Sequence, residues 1–245
     1  MMRVLFLLLI MVVVARADDR FAKANEDYRT GHFREAAEQY ETLLENDGPR
    51  VSVLQNLGSA YHQLGENGRA ILAFERALLL KPGDADIEAN LKLVRDRSAV
   101  FPGGPDDRWS KLAGSLSRRS WSMWLLAGAL MLPVAAILWI IRRSMRMASV
   151  LLAIAGALLS AASLWALGRS AGVGSLAIVV NDDAKVSLSP FESAGETGTL
   201  PAGREVRTGD ERNGFRWVSV DGGATAGWMK IEDIEPLVPQ KPRIK

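Results

Sequence analysis

Phe21, Asn25, Tyr28 and Arg29, with a second set of Gln55, Ser59, His62 and Gln63, bring together amides, a hydroxyl, an imidazole, a guanidinium and two aromatic rings. Side chains of these types hydrogen-bond a peptide backbone and cover apolar side chains; they make contacts rather than covalent bonds. Only His32 and His62 are present, and there is no cysteine, which removes disulfides and thiolate metal ligands. The patterns HExxH, GxxxxGK[ST] and Gly-x-Ser-x-Gly are missing, and Gly172-x-Gly174 lacks the third glycine of a nucleotide-binding turn. The expectation is a protein that is not an enzyme, has no catalytic, cofactor-binding or metal-binding residues, and works by presenting a surface. Trp217 and Trp228, far along the chain, are the second candidate surface.

The first set of residues must be held by helices. Gly31 and Gly65, Ala36 and Ala70, Tyr40 and Phe74, and Leu44 and Leu78 each stand 34 residues apart. A fixed interval of that length, with small residues where helices touch and aromatics where they cover one another, predicts stacked helix-turn-helix units. Leu57-Gly58, Tyr61, Gly65, Ala70, Phe74, Ala77-Leu78 and Pro82 resemble a tetratricopeptide repeat. The first unit keeps Ala24, Gly31, Phe33, Ala36, Tyr40 and Leu44, and departs from the pattern at Lys23 and Asp27. After Pro82-Gly83, the segment from Asp84 to Arg97 repeats Asn56-Leu57 as Asn90-Leu91 and is expected to close the array as a capping helix with a polar outer side. The resemblance implies a domain over residues 18–98 whose inner groove, lined by the eight residues above, binds protein. Two units and a cap are few, so neighbouring modules or partners are expected to help hold them.

Two further stretches set where this surface sits. Arg3, the apolar run Val4 to Val14 and Ala15-Arg16-Ala17 read as a signal peptide over residues 1–17, cut after Ala17. No charge occurs from Trp121 to Ile141, nor from Met147 to Leu167, and each run is long enough to cross hydrocarbon as a helix. Residues 121–141 and 147–168 are therefore expected as transmembrane helices, with residues 99–120 a juxtamembrane linker. Only residues 142–146, with Arg142, Arg143 and Arg146, separate the spans, so they must form an antiparallel hairpin with its basic loop in the cytoplasm. Both flanking modules then lie outside the cytoplasm. The overall charge is only +2, and the positive excess collects beside the apolar runs; this points to a membrane boundary rather than to nucleic acid. Gly156, Ala157, Ser160 and Ala161 give the second span a small-residue face for packing on the first.

Residues 175–238 change character. Ala177 to Val180, Val186 to Leu188, Glu205 to Thr208, Phe215 to Val220 and Ala226 to Met229 predict five short strands of a small barrel, with Asp221-Gly222-Gly223 as a tight connection, Phe191 to Thr199 as a loop, and residues 239–245 as a tail. The order of strands and loops, with Leu200-Pro201-Ala202-Gly203, Arg216-Trp217-Val218-Ser219-Val220 and Gly227-Trp228-Met229, resembles a bacterial SH3-type domain. The fold class expected is thus a multidomain membrane protein: all-α tetratricopeptide repeats, a transmembrane α-hairpin and a small all-β SH3-like barrel.

Signal peptide, repeats, two-span hairpin and SH3-type domain, in that order, resemble the BatE-like proteins of aerotolerance (Bat) operons. The resemblance implies a bacterial inner-membrane scaffold or adaptor with periplasmic repeats and SH3-like domain, partnering envelope proteins that include von Willebrand factor A-type Bat membrane proteins. A peptidoglycan-binding envelope sensor, using the SH3-like domain, is the alternative.

Overall fold

A computed structural model describes residues 19–100, 118–170, 174–220 and 225–239. The expected signal peptide, most of the juxtamembrane linker, the Asp221-Gly222-Gly223 connection and the tail beyond Pro239 lie outside the described residues. Two compact units result: one combines Met1–Pro105 with Ser175–Lys245, and the other is Asp106–Gly174.

Five helices open the first unit: α1 (19–29), α2 (Phe33–Asp47), α3 (Val51–Gln63), α4 (Asn67–Leu80) and α5 (Ala85–Ser98). Each buries a helical stripe. In α2 this is Ala36, Ala37, Tyr40 and Leu43; in α5 it is Ile87, Leu91 and Val94. Gly58 shows why a small residue recurs at the crossing of α3 and α4, since a Cβ there would stand 2.9 Å from the Phe74 ring. Asp84 starts α5 by accepting from the backbone N–H groups of Asp86 (3.2 Å) and Ile87 (3.3 Å).

The same unit contains one antiparallel sheet: β1 (Leu176–Val179), β2 (Ala184–Ser187), β3 (Glu196–Leu200), β4 (Glu205–Arg212), β5 (Phe215–Val220), β6 (Thr225–Lys230) and β7 (Ile234–Pro236). The strand order is β3-β2-β6-β5-β4-β1-β7. Ala184 and Val186 of β2 share one core with Ala177 and Val179 of β1, Val206, Val218, Val220, Met229 and Ile234. Strands distant in the ladder therefore meet around a single centre, so the sheet rolls up.

Two strands exceed the five expected. β3 falls in the segment anticipated as a loop, and it is an edge strand pairing with β2 alone; residues 196–199 are exposed on both faces, so no alternation of apolar residues marks it. β7 is only three residues long and pairs with β1 through Val179↔Ile234 and Ala177↔Pro236.

The second unit holds α6 (Arg118–Ile141), a 3₁₀ turn at Arg143–Met145 and α7 (Arg146–Ser170). Two segments, Arg119–Ile141 and Arg143–Gly168, are long and apolar enough to cross a membrane. Large side chains such as Leu126, Leu130, Ile140, Leu151 and Leu158 point outward, whereas Gly128, Ala135, Gly156, Ser163 and Ala166 are buried. The helices meet where a Cβ on Gly128 would stand 2.6 Å from Ser160 Oγ and 2.8 Å from the Gly156 carbonyl oxygen. Gly156 and Ser160 thus lie at the contact as anticipated, but Ala157 and Ala161 are exposed; the stripe runs through Ser163 and Ala166 instead. At the loop, the Arg146 guanidinium stands 5.1 Å above the Trp139 ring.

Candidate functional site: the repeat groove and the sheet packed behind it

Helices α1 and α3 carry the eight groove residues, and the structure gives these residues different jobs. Asn25 Oδ1 accepts hydrogen bonds from Tyr40 Oη (2.7 Å) and Asn56 Nδ2 (2.8 Å), which ties α1 to both α2 and α3. Its acceptor is occupied, so toward a ligand it has its amide N–H groups to offer. Burial pushes the Tyr40 phenol above its ordinary value. Phe21 is half-buried and tilts against Tyr40 with centroids 6.1 Å apart, while Tyr28 meets Phe33 edge-on at 5.3 Å. Arg29 is exposed and pairs with Glu26. Ser59 Oγ donates to the Gln55 carbonyl in its own helix at 3.1 Å, leaving the Gln55 side chain and the exposed Gln63 free of any described intramolecular hydrogen bond.

His62 has two partners that assign its tautomer. Arg97 Nη1 lies 3.0 Å from Nε2, and a guanidinium can only donate, so Nε2 is the acceptor. Nδ1 then carries the proton and donates to Asn67 Oδ1 at 3.1 Å. Neither Arg97 nor Asn67 was among the expected groove residues. The 34-residue interval was the available signal for Arg97, which follows Gln63 by that distance.

Behind the groove, α4 carries Gly68, Ile71 and Glu75 at helical spacing on the side that meets the sheet. A Cβ on Gly68 would stand 2.7 Å from the Val179 carbonyl oxygen and 2.8 Å from that of Val180, and one on Gly203 would stand 2.4 Å from Ile71 Cδ1. Arg76 clasps β7: Nη2 donates to the Pro236 carbonyl (2.8 Å) and to Glu235 Oε1 (2.9 Å), and Nε donates to the Leu237 carbonyl (3.2 Å). Arg95 pairs with Glu75 at 2.5 Å. Burial, and next the charge of Glu75, hold the Glu205 carboxyl above the usual carboxylate range against the opposing pull of Arg95, Arg207 and Arg204. Neighbouring modules were expected to help hold the repeats, and the sheet is such a neighbour.

A cleft of about 310 Å³ opens between Glu41, Tyr61, Arg69, Arg76 and Glu235. Tyr61 donates its hydroxyl to Glu41 and has the Arg69 guanidinium 5.6 Å above its ring. Burial and the Glu41 contact raise the Tyr61 phenol well above its ordinary range.

Trp217 and Trp228 are direct cross-strand partners with ring centroids 5.5 Å apart in an edge-to-face arrangement. They stand on the face of the sheet opposite the shared core. Trp217 is 37% exposed, and Lys230, two residues beyond Trp228, pairs with Glu192 at 3.1 Å.

Residues 21–85 match the family model for the tetratricopeptide repeat, a match running from α1 to the first residue of α5. The chain therefore carries tetratricopeptide repeats, and such domains generally mediate binding between proteins. No curated protein matches the chain.

Proposed function

We propose that this protein is an inner-membrane scaffold that docks envelope proteins through its periplasmic repeat groove and SH3-like module, within a Bat-type stress (aerotolerance) complex. The observation that carries the reading is that the repeats and the sheet form one packed unit drawn from both flanks of an apolar helical hairpin. Chain segments that fold together must lie on one side of any membrane the hairpin crosses, and the arginines of the short loop favour retention in the cytoplasm. Von Willebrand factor A-type Bat membrane proteins are the proposed partners, by the resemblance of module order.

The absence of native cysteine makes the topology directly testable. Single cysteines at Gln63, Ser193 and Ser144 are introduced into intact cells and treated with a membrane-impermeant maleimide. Labelling at Gln63 and Ser193 but not at Ser144 is expected; the opposite pattern overturns the topology and the docking role built on it. Crosslinking of solubilised membranes, with Gln55→Ala and Gln63→Ala as controls, then identifies what the groove holds.

The second reading, a peptidoglycan-binding sensor, draws on the exposed edge of the Trp217–Trp228 pair. Retention of the full chain on peptidoglycan, abolished by Trp217→Ala, would favour it.

A further inference from the structure

Helix α4 and strand β7 run toward the same end of the repeat-and-sheet unit. Gly68, in the first turn of α4, meets the carbonyl oxygens of Val179 and Val180, and Arg76, just over two turns on, holds the carbonyls of Pro236 and Leu237. The pairs Val179↔Ile234 and Ala177↔Pro236 carry that direction back along β1 to Leu176, whose carbonyl accepts from the Leu237 N–H at 2.9 Å. Leu80, one turn beyond Arg76 on the same face of α4, and Val238, next after Leu237, therefore reach the end at which the chain enters β1.

These side chains are apolar and uncovered. Leu79, Leu80 and Val238 are 38%, 43% and 42% exposed, whereas Ile234 and Leu237 are buried. Helix α4 closes on three leucines with no basic residue in its last turn, where a cation would complement the free carbonyls. A lone exposed leucine needs no explanation; here three apolar side chains stand at one end.

The chain on either side says what lies within reach of that end. The apolar stretch of α7 closes at Gly168 and β1 opens at Leu176; the residues between them span at most about 25 Å even when fully extended. Beyond Pro239 the sequence continues Gln240-Lys241-Pro242-Arg243-Ile244-Lys245, with three cations and no acid, a composition drawn to anionic lipid headgroups. On the turn after α4, Asp84 is taken up by Lys81 at 2.7 Å and by the N–H groups that open α5.

We propose that this end of the unit rests on a lipid surface: Leu79, Leu80 and Val238 enter the interfacial layer of the bilayer that α6 and α7 cross, and the cations after Pro239 meet its headgroups. This rests on the reading of the hairpin as membrane-spanning and adds a surface that the docking role does not use. So short a tether holds the leucines at high effective concentration near the interface, and a small apolar area then suffices.

The test uses the full chain reconstituted into vesicles of phosphatidylcholine, alone or mixed with phosphatidylglycerol, with some lipids carrying a nitroxide at the top of an acyl chain. Single cysteines at Leu151, Pro239 and Ser193 carry an environment-sensitive fluorophore. Quenching is expected at Leu151 and Pro239 but not at Ser193, on the loop between β2 and β3. Leu80→Glu with Val238→Glu should lower quenching at Pro239 severalfold and leave Leu151 unchanged; both sites are exposed, so the core stays intact. Quenching at Pro239 should be stronger with phosphatidylglycerol, and replacing Lys241, Arg243 and Lys245 by Gln should remove that difference. A quenched Leu151 with an unquenched Pro239, equal quenching at Pro239 and Ser193, or indifference to the two Glu substitutions would overturn the contact and leave the hairpin reading standing. Shielding of Pro239 that requires added envelope protein rather than lipid would also overturn it. An unquenched Leu151 would overturn the hairpin reading and this contact with it.

Discussion

Replacing Gly68 first by alanine and then by leucine reads out the packing of the repeats on the sheet through the sign of a stability change. In a free helix either substitution stabilises, by up to about 1 kcal/mol, because glycine is the poorer helix former. Here the new Cβ would stand 2.7 Å from the Val179 carbonyl oxygen and 2.8 Å from that of Val180. These are backbone atoms, unable to rotate aside, and the Val179 carbonyl is already held by the Gly203 N–H at 2.7 Å. Overpacking of this kind costs about 1–3 kcal/mol, so alanine should leave a net loss of up to about 2 kcal/mol, and leucine, with three more carbons, a larger one. The predicted order of stability is wild type, then alanine, then leucine. Urea unfolding of the full chain in mild detergent, followed by a brief pulse of protease and quantification of the surviving repeats, measures it. Either variant surviving to higher urea than wild type would mean that α4 and β1 are not in contact, and the account of one packed unit would fail.

Three further outcomes follow from the same geometry. Arg76→Ala should destabilise the unit by about 2–3 kcal/mol, mainly through the unsatisfied Pro236 and Leu237 carbonyls, and Arg76→Lys should recover only part because a point ammonium cannot span three acceptors; hydrogen exchange at the β7 amides is the measure. Glu205 has a folded-state pKa raised above its unfolded value of about 4.3, so its contribution is most favourable below that value and is lost as pH rises through the raised one; Glu205→Gln should flatten this fall in urea midpoint and be more stable than wild type at neutral pH. Gly128→Leu should force α6 and α7 apart and lower the aggregation temperature in detergent, while Ala157→Leu, on the exposed side of α7, should leave it unchanged.

The repeat helices were legible because their core residues recur at one interval and pack against residues near them in the chain. Tyr40, Phe74 and Gly58 announce themselves by size and spacing. Asn25 was singled out for its hydrogen-bonding chemistry, and the structure uses its acceptor to join three helices, a role that depends on Asn56 arriving from 31 residues away. His62 was named without Arg97, since a contact between neighbouring repeat units shows only when the interval is carried past the second. β3 escaped notice because an edge strand exposed on both faces needs no alternating apolar residues, and the mate of Gly156 was missed because Gly128 sits in an apolar run where each residue looks alike.

From the sequence alone came the 34-residue period, the helix pairs it implies, the two long uncharged runs with their basic turn, and the strand-rich segment after them. The period and the strand-rich segment reflect short-range patterning, and the uncharged runs with their basic turn are plain composition, so each can be read without knowing which distant residues meet. Only the tertiary structure decided that the sheet packs on α4, that Arg76 holds a strand 159 residues further on through Glu235, and that Gly68 is required where it stands. Those contacts run largely to backbone atoms from distant parts of the chain, and a backbone oxygen looks the same whichever residue carries it, so no pattern of side chains could have revealed them.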